Sequence, residues 1–156
     1  MKTKFVLLIV CSLNLTSISA QNLISENSIK NTIQTFFDGL HKGDTLLINK
    51  SISSSLKLET IYINTDGLSV LKSESKADFL RAVSEKREED KWEEKLTSIT
   101  IHIDENLASV WAPYKFYLNS KFSHCGVNSF QLFNNDDHWE IIYLVDTRRK
   151  EDCRLE

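Results

Sequence analysis

The chain has 156 residues, of which 41% are hydrophobic and 26% are charged, and its formal net charge is −3 at pH 7. This length suits one ordinary globular domain with a single core. The mildly acidic balance argues against nucleic acid as a partner, since the longest basic block is only Arg148 to Lys150.

The first twenty residues have the layout of a secretory signal peptide. Lys2 and Lys4 precede an apolar run from Phe5 to Leu15, and small residues then lead to Ala20, which suits the position before the cut. The apolar run is too short to span a membrane. We therefore expect residues 1–20 to be removed and the protein to be exported to the periplasm or the medium.

A lipid anchor is not expected. A lipoprotein needs a small residue before its modified cysteine, whereas Val10 precedes Cys11 in the middle of the apolar run. The sequence thus predicts a single domain over residues 21–156 with a net charge of −5 and no stable membrane anchor.

Two helices are predicted at the start of this domain. Ser25 can cap the first helix, and Gly43 can end it in a left-handed conformation. Asp44 can then cap a short second helix through Ile48. Apolar residues at helical spacing give the first helix one stripe that faces a core: Ile29, Ile33, Phe36, Phe37 and Leu40.

A hairpin and a third helix follow. Leu56 to Ile63 and Leu68 to Leu71 flank the turn Asn64 to Gly67, which is typical of a β-hairpin. Ser75 begins a capping-box-like motif for the third helix. The mixed-sign run from Glu85 to Lys95 is predicted to be a solvated helix end and loop.

After residue 96 the hydrophobic period changes to two, which predicts a long antiparallel meander. Its four strands lie near 99–103, 107–118, 122–133 and 139–147. Pro113 lacks the N–H that a ladder bond needs, so it predicts a bulge or an edge position in the second of these strands.

Four segments resemble the nuclear transport factor 2-like superfamily, and more narrowly its putative lumazine-binding branch of proteins exported by Bacteroidetes-type bacteria. They are the segments at 39–44, 108–116, 124–130 and 146–148. The resemblance implies an α+β fold in which a curved antiparallel sheet wraps around a long N-terminal helix to form a cone. It also implies that the cavity at the open end of the cone is the working site, and that two copies pair as a homodimer through the convex face of the sheet.

Polar residues share one face of the strand near 122–133, namely His124 and Asn128, with Gly126 between them. The length of the last turn decides what stands beside them. A loop of five residues aligns them with Asp146 and Arg148, whereas a loop of four brings Tyr143 and Val145 to that face. We favour the first arrangement.

If His124 and Asp146 are neighbours, two interpretations are open. They can form a catalytic acid/base pair, since the carboxylate orients the imidazole and raises its pKa. They can also form a satisfied structural pair, which we favour. Arg148 likewise can clamp an anionic ligand or form an ion pair at the rim.

Aromatic residues form a second candidate group. Tyr and Trp enter a protein interior only where their polar tips find partners. Most aromatic residues of the chain are expected to be plain core, and the candidates to line the cavity together with Asn128 are Phe36, Trp111, Tyr114 and Tyr143. The family resemblance implies a pteridine-like or flavin-like ligand, but the sequence does not distinguish this from a steroid-like or lipid ligand.

Cys125 and Cys153 remain after Cys11 leaves with the signal peptide. In an oxidising compartment they either form a disulfide or stay as two unpaired thiols. Cys125 points away from the predicted cavity face, and the tail is long enough to reach it. His124 and Cys125 point to opposite faces, so no metal site is expected, and no cofactor is expected either.

The sequence thus favours a non-catalytic exported domain that binds a small apolar or aromatic molecule. The alternatives are a cofactor-independent lyase or isomerase of the ketosteroid isomerase or polyketide cyclase type, and a homodimeric interaction module. An enzyme needs a titrating base deep in the cavity, and an interaction module needs a filled cone with an exposed apolar sheet face.

Overall fold

In the described part of the chain, one seven-stranded sheet carries the architecture, and three helices accompany it. The computed structural model of the protein describes residues 10–136 and 138–153, with side chains from residue 25 onward. The helices are α1 (Val10–Lys42), α2 (Thr45–Asn49) and α3 (Lys76–Ser84), and the strands are β1 (Ile52–Ile63), β2 (Ser69–Glu74), β3 (Trp92–Leu96), β4 (Thr100–Asp104), β5 (Leu107–Leu118), β6 (Lys121–Asn134) and β7 (Trp139–Arg148).

The sheet order is β2-β1-β7-β6-β5, and both β3 and β4 pair with the remaining edge of β5. Every pairing is antiparallel except that of β1 with β7, which is parallel. The predicted α+β fold with a sheet around the N-terminal helix is confirmed. The parallel pair, which joins the first strand to the last, was not predicted.

The first helix is longer than the sequence predicts. It begins at Val10 and runs without interruption to Lys42, so Ser25 is not its cap. No glycine or proline occurs between Val10 and Ser25, so nothing in that segment interrupts a helix. Of the predicted signal peptide, residues 1–9 lie outside the described part. Within the described residues, no helix combines the length and apolar character that crossing a membrane requires.

The other predicted helix boundaries are confirmed. Gly43 has a φ of +73°, the left-handed conformation that lets the chain leave α1. The side chain of Asp44 accepts hydrogen bonds from the backbone nitrogens of Leu46 and Leu47, which caps α2. Ser75 caps α3 by accepting from the backbone nitrogen of Asp78.

The core lies between α1 and the concave face of the sheet. The α1 stripe is almost fully buried, and Phe36 and Phe37 are only 2% and 5% exposed. Opposite them, Phe130 of β6 meets both rings edge-on at centroid distances of 6.3 and 6.2 Å. This packing holds the helix over one end of the concave face.

Pro113 lies inside β5, at the point where the outer neighbour of that strand changes. β4 pairs with β5 up to Trp111, and β3 pairs with it from Tyr114 onward. Between them, only the carbonyl of Pro113 is bonded on this side, by the backbone nitrogen of Thr97 at 2.8 Å. The position is therefore locally an edge, which tolerates the missing N–H as predicted.

The prediction of a solvated loop over 85–95 is wrong for its last part. Trp92 to Leu96 form β3, which pairs antiparallel with β5. Trp92, Glu94 and Leu96 alternate with charged residues that face solvent. The many charged residues between Glu85 and Lys95 make this period-two pattern difficult to recognise in the sequence.

Candidate functional site

The register of the last hairpin brings the predicted polar residues together. Asn128 of β6 stands directly opposite Asp146 of β7, as we favoured. The alignment does not come from a five-residue loop. Asn134 pairs with Trp139, so the loop has four residues, and a register shift lies between Gln131 and Leu132. A β-bulge thus restores the alignment that a longer loop would have given.

A cavity of about 360 Å³ lies between the concave face of the sheet and the helices. Its walls are mostly apolar, and its polar groups converge at the end away from the α1 core. The apolar lining comes from Phe36, Phe37, Leu40, Leu58, Phe79, Ala82, Val83, Trp92, Phe116, Leu118 and Leu144, and the polar side chains on the concave side are Thr60, Glu74, Glu94, His124, Asn128, Asp146 and Arg148.

Asp146 is the hub of the polar end. Its Oδ1 accepts a hydrogen bond from the Thr60 hydroxyl at 2.6 Å, and its Oδ2 accepts one from Arg148 Nε at 2.7 Å. The Tyr114 hydroxyl lies 3.0 Å from the same Oδ2. Since Asp146 is only 8% exposed, these partners replace the water that its charge would otherwise need.

Glu94 is a second carboxyl group at this end. Asn128 Nδ2 donates to Glu94 Oε1 at 2.6 Å. Measured by its exposed area, the Glu94 side chain is half-buried, because one side of it faces the cavity. Protein surrounds its other sides. Desolvation first, and then the nearby Asp146 charge, raises the pKa of Glu94 to about 7. Glu94 therefore exchanges a proton near neutral pH.

His124 forms neither the acid/base pair with Asp146 nor the structural pair that we favoured. Its ring stacks on Phe116 at 4.9 Å, meets Tyr114 edge-on at 5.8 Å, and its Nδ1 lies 3.1 Å from the Ser123 hydroxyl. No hydrogen bond joins it to Asp146 in the described part of the chain. Burial, followed by the Arg148 charge, lowers the pKa of His124 to about 4, so the ring is neutral at pH 7. The hypothesis of a His124–Asp146 dyad is therefore wrong.

Two of the predicted ligand-binding aromatics also lie elsewhere. Trp111 is on the convex face of β5 and is 54% exposed, and Tyr143 is on the convex face of β7, where its hydroxyl donates to Glu59. Both belong to the odd-numbered set of their strands, which faces away from the cavity. Phe36, Asn128 and Arg148 do line the cavity, whereas the Tyr114 ring is buried behind it.

Gly126 explains how Tyr114 reaches Asp146. A Cβ atom on Gly126 would overlap the carbonyl oxygen of Thr147 and would come within 3.0 Å of the Tyr114 ring. Because Gly126 has no side chain, both β7 and the Tyr114 ring can approach its Cα atom closely. The Tyr114 hydroxyl also lies 3.0 Å from the Thr147 carbonyl oxygen. The space expected beside Gly126 is filled by protein and is not open to a ligand.

Cys125 and Cys153 form a disulfide, with their Cα atoms 5.8 Å apart. Cys125 is fully buried, and Arg149 exchanges backbone hydrogen bonds with it at 2.8 and 2.9 Å. The tail is thus fixed against β6 next to the polar end of the cavity. A more open groove of about 1040 Å³ continues from there and shares Thr60, Glu74, His124 and Arg148 with the cavity.

Sequence reasoning missed Glu94 and Trp92 as site residues. Only the alternation of Trp92, Glu94 and Leu96 signals a strand there, and the acidic and basic neighbours mask it. His41, near the end of α1, is half-buried and supports Glu94. Its Nε2 accepts a hydrogen bond from the Glu94 backbone nitrogen at 2.8 Å, which ties α1 to β3.

The chain is similar to one protein family in sequence and to several solved structures in fold. The family described as putative lumazine-binding matches residues 25–145. None of the curated proteins compared matches the chain. The structures include nuclear transport factor 2-like proteins from Shewanella baltica (12% identity, TM-score 0.61, covering 83% of this chain and 97% of that one) and Cytophaga hutchinsonii (12%, 0.61, 80% and 98%). A putative scytalone dehydratase from Novosphingobium aromaticivorans is 10% identical, with a TM-score of 0.65 and coverage of 84% and 88%. At these identities the structures show a shared fold.

Proposed function

Because the chain belongs to the putative lumazine-binding family, we propose that it binds a small, largely apolar or aromatic molecule in the cone cavity. The cavity itself carries this proposal. It has about 360 Å³ of space, apolar walls and a few convergent polar groups at one end, which is the usual composition of a small-molecule site.

The arrangement favours a flat ligand. The Phe36 and Phe79 rings are nearly parallel, with an interplanar angle of 12° and a centroid distance of 5.9 Å, and they form one apolar wall. Glu94, Asn128 and Arg148 offer a carboxyl, a carboxamide and a guanidinium at the polar end. A ring system with N–H and C=O groups on one edge, as in a pteridine, complements this set.

A cavity-filling substitution tests the proposal. Ala82 and Ala77 both lie on α3, but only Ala82 lines the cavity. Lumazine and the fluorescent apolar probe N-phenyl-1-naphthylamine should bind the wild-type protein and the Ala77→Trp control, and Ala82→Trp should abolish binding. Binding that Ala82→Trp leaves unchanged would place the ligand outside the cavity and contradict the proposal.

A second candidate function is cofactor-independent lyase or isomerase chemistry. The observation that favours it is Glu94, a carboxyl group in the cavity whose pKa of about 7 suits a general base or acid. Glu94 would then take the role that the sequence assigned to His124 and Asp146.

Carbon acidity offers a direct assay for this second candidate. Flat ketones such as 2-tetralone exchange their α-protons in D₂O when a base is held beside them. The enzyme interpretation predicts accelerated exchange that Glu94→Gln abolishes and Glu93→Gln retains. Exchange at the rate of buffer alone, with 2-tetralone shown to bind, would leave ligand binding as the function.

Export is part of the proposal and rests on the signal-like layout of residues 1–20. Expression of the full chain in a Gram-negative host should give a periplasmic protein whose mass corresponds to residues 21–156. A cytoplasmic protein of full-length mass would contradict export.

We further propose that the protein forms a homodimer. If pairing were its whole function, the protein would be a pure interaction module. The convex face exposes large apolar side chains, including Trp111 at 54%, Leu107 at 47% and Phe133 at 44%. Sedimentation equilibrium should give a dimer for the wild-type protein and a monomer for Trp111→Lys. A wild-type monomer at high concentration would contradict pairing through this face.

A further inference from the structure

Two carboxyl groups among the described residues that line the concave side, Glu74 and Glu94, have no cationic partner, and of these Glu74 is exposed to solvent whereas Glu94 is half-buried. Among the described lining residues, Arg148 is the one basic side chain that pairs with a carboxylate inside the cavity. Its partner is Asp146, at 2.7 Å. The Glu94 carboxyl group takes part in no ion pair within the described part of the chain, and its one hydrogen-bond partner there is Asn128. The Glu94 side chain therefore carries a charge that the protein does not balance.

The second carboxyl oxygen of Glu94 reaches the cavity. Oε1 accepts from Asn128, whereas Oε2 has no partner among the described residues. No fully buried side-chain nitrogen or oxygen of the described chain lacks a hydrogen bond, so Oε2 is not sealed inside the protein. Since Glu94 lines the cavity, the free oxygen is available to a ligand there.

Aromatic rings surround this carboxyl group. Trp92 precedes it by two residues on the same face of β3, and Phe116 is its Cα partner on β5. Phe37 of α1 closes the cavity from the other side. The faces of such rings attract cations, and the attraction grows when water is excluded. Rings around a desolvated carboxyl group are a combination that suits an organic cation better than a neutral or anionic group.

Among the described residues near Glu94, no positively charged side chain is free to pair with its carboxyl group. Burial lowers the pKa of both histidines, so each is neutral at pH 7, and burial raises the pKa of the tyrosine, so its hydroxyl stays protonated. The groups that face Glu94 or the cavity from the packed elements are His41 of α1, Glu74 of β2, Tyr114 of β5, His124 of β6, and Asp146 and Arg148 of β7. The ammonium group of Lys86 lies over the Trp92 ring at 5.8 Å and donates to the backbone carbonyls of His41 and Asp90.

We infer that the cavity takes a ligand with a protonated amine on an apolar or aromatic body, and that Glu94 is the counter-ion of this amine. The inference rests on the proposed function, because it names the class of ligand for the same cavity. It also predicts that binding is coupled to a proton. An ammonium group beside Glu94 favours the ionised carboxylate, so binding at pH 7 displaces a proton from the fraction of Glu94 that is protonated.

Three probes of one shape separate the ligand classes. Naphthalen-1-ylmethylamine, naphthalen-1-ylmethanol and 1-naphthoate share an aromatic body and carry a cationic, neutral and anionic head. Titration calorimetry at pH 8 should show the amine binding roughly tenfold or more tightly than the alcohol, with the naphthoate weakest. Calorimetry at pH 7 in two buffers of different ionisation enthalpy should show proton release with the amine and none with the alcohol.

A matched pair of variants assigns the effect to one residue. Glu94→Gln should bind the amine and the alcohol equally, whereas Glu93→Gln, on the opposite face of β3, should retain the wild-type preference. Near-UV circular dichroism checks that both variants fold, and proton release by the wild-type protein tests the inference without either variant.

The outcomes separate the inference from the proposed function. Binding of the alcohol without any preference for the amine would overturn the inference and leave the proposed function in place. A preference for the amine that survives Glu94→Gln, or tighter binding of the naphthoate, would overturn the inference in the same way. Failure of all three probes to bind would overturn both.

Discussion

Two glutamates on opposite faces of the same sheet show how position decides chemistry. On the convex face, hydrogen bonds from Tyr143 and then Ser73 lower the pKa of Glu59. On the concave face, burial raises the pKa of Glu94 to about 7. The two side chains are chemically identical, and strand alternation places the Glu59 carboxyl group beside Tyr143 and Ser73 and the Glu94 carboxyl group in the cavity.

The contrast extends to the rest of each face. The concave face keeps its charges in a compact network around Asp146 and encloses the cavity. The convex face carries exposed apolar residues such as Trp111 and is tied to the tail by the disulfide. Substitutions on the concave face should therefore affect stability and ligand binding together, and substitutions on the convex face should affect assembly.

Removal of the Asp146 carboxylate should have the largest effect. Asp146→Ala leaves the Arg148 guanidinium and the Tyr114 and Thr60 hydroxyls without their shared acceptor. The loss of unfolding free energy should be about 3–5 kcal/mol in urea denaturation, because three hydrogen bonds to one buried carboxylate, each worth about 1.5–3 kcal/mol, are lost together. Glu59→Ala is the control on the convex face and should remain close to wild type. Equal losses in the two variants would contradict the contrast between the faces.

The disulfide should have the next largest effect. Replacing both Cys125 and Cys153 by Ser opens a loop of 28 residues. The expected loss of unfolding free energy is about 3 kcal/mol, chiefly because the unfolded chain gains conformational entropy. Urea denaturation of the oxidised wild type and the double variant measures it. If the reduced wild type were as stable as the oxidised protein, the tail would contribute nothing to the sheet.

Glu94 should give a smaller effect that depends on pH. Its folded pKa of about 7 lies above the ordinary glutamate pKa of 4.5, so the folded state binds more protons between these values and stability falls as pH rises through this window. Glu94→Gln removes this loss and should be more stable than wild type by about 1–3 kcal/mol at pH 8, with little gain at pH 4. Thermal denaturation at both pH values measures the difference, with Glu93→Gln as the control. A constant offset between wild type and Glu94→Gln at both values would mean that Glu94 is not desolvated.

The sequence predicts the fold well and the site only in part. The α1 stripe around Phe36 and the caps at Asp44 and Ser75 are local patterns, so they are readable without the structure. The bulge after Gln131 depends on contacts between distant strands and has no local signal. It decided whether Asp146 faced the cavity.

Errors about individual side chains have the same origin. Trp111 and Tyr143 were assigned to the cavity by residue type, but strand parity places both on the convex face. Glu94 was overlooked because its neighbours are charged, and its environment is created by α1 and β5, which are distant in sequence. Burial by remote segments determines a pKa, and a local pattern does not report it.

The central claim is that Glu94 is a desolvated carboxyl group at the polar end of a ligand cavity. Carbon-13 NMR of the glutamate side-chain carboxyls, with Glu94→Gln to assign the resonance, measures its titration directly. The expected pKa is about 7 in the free protein, and it should fall when naphthalen-1-ylmethylamine binds. A Glu94 pKa near the ordinary glutamate value of 4.5 that does not respond to the amine would contradict the account.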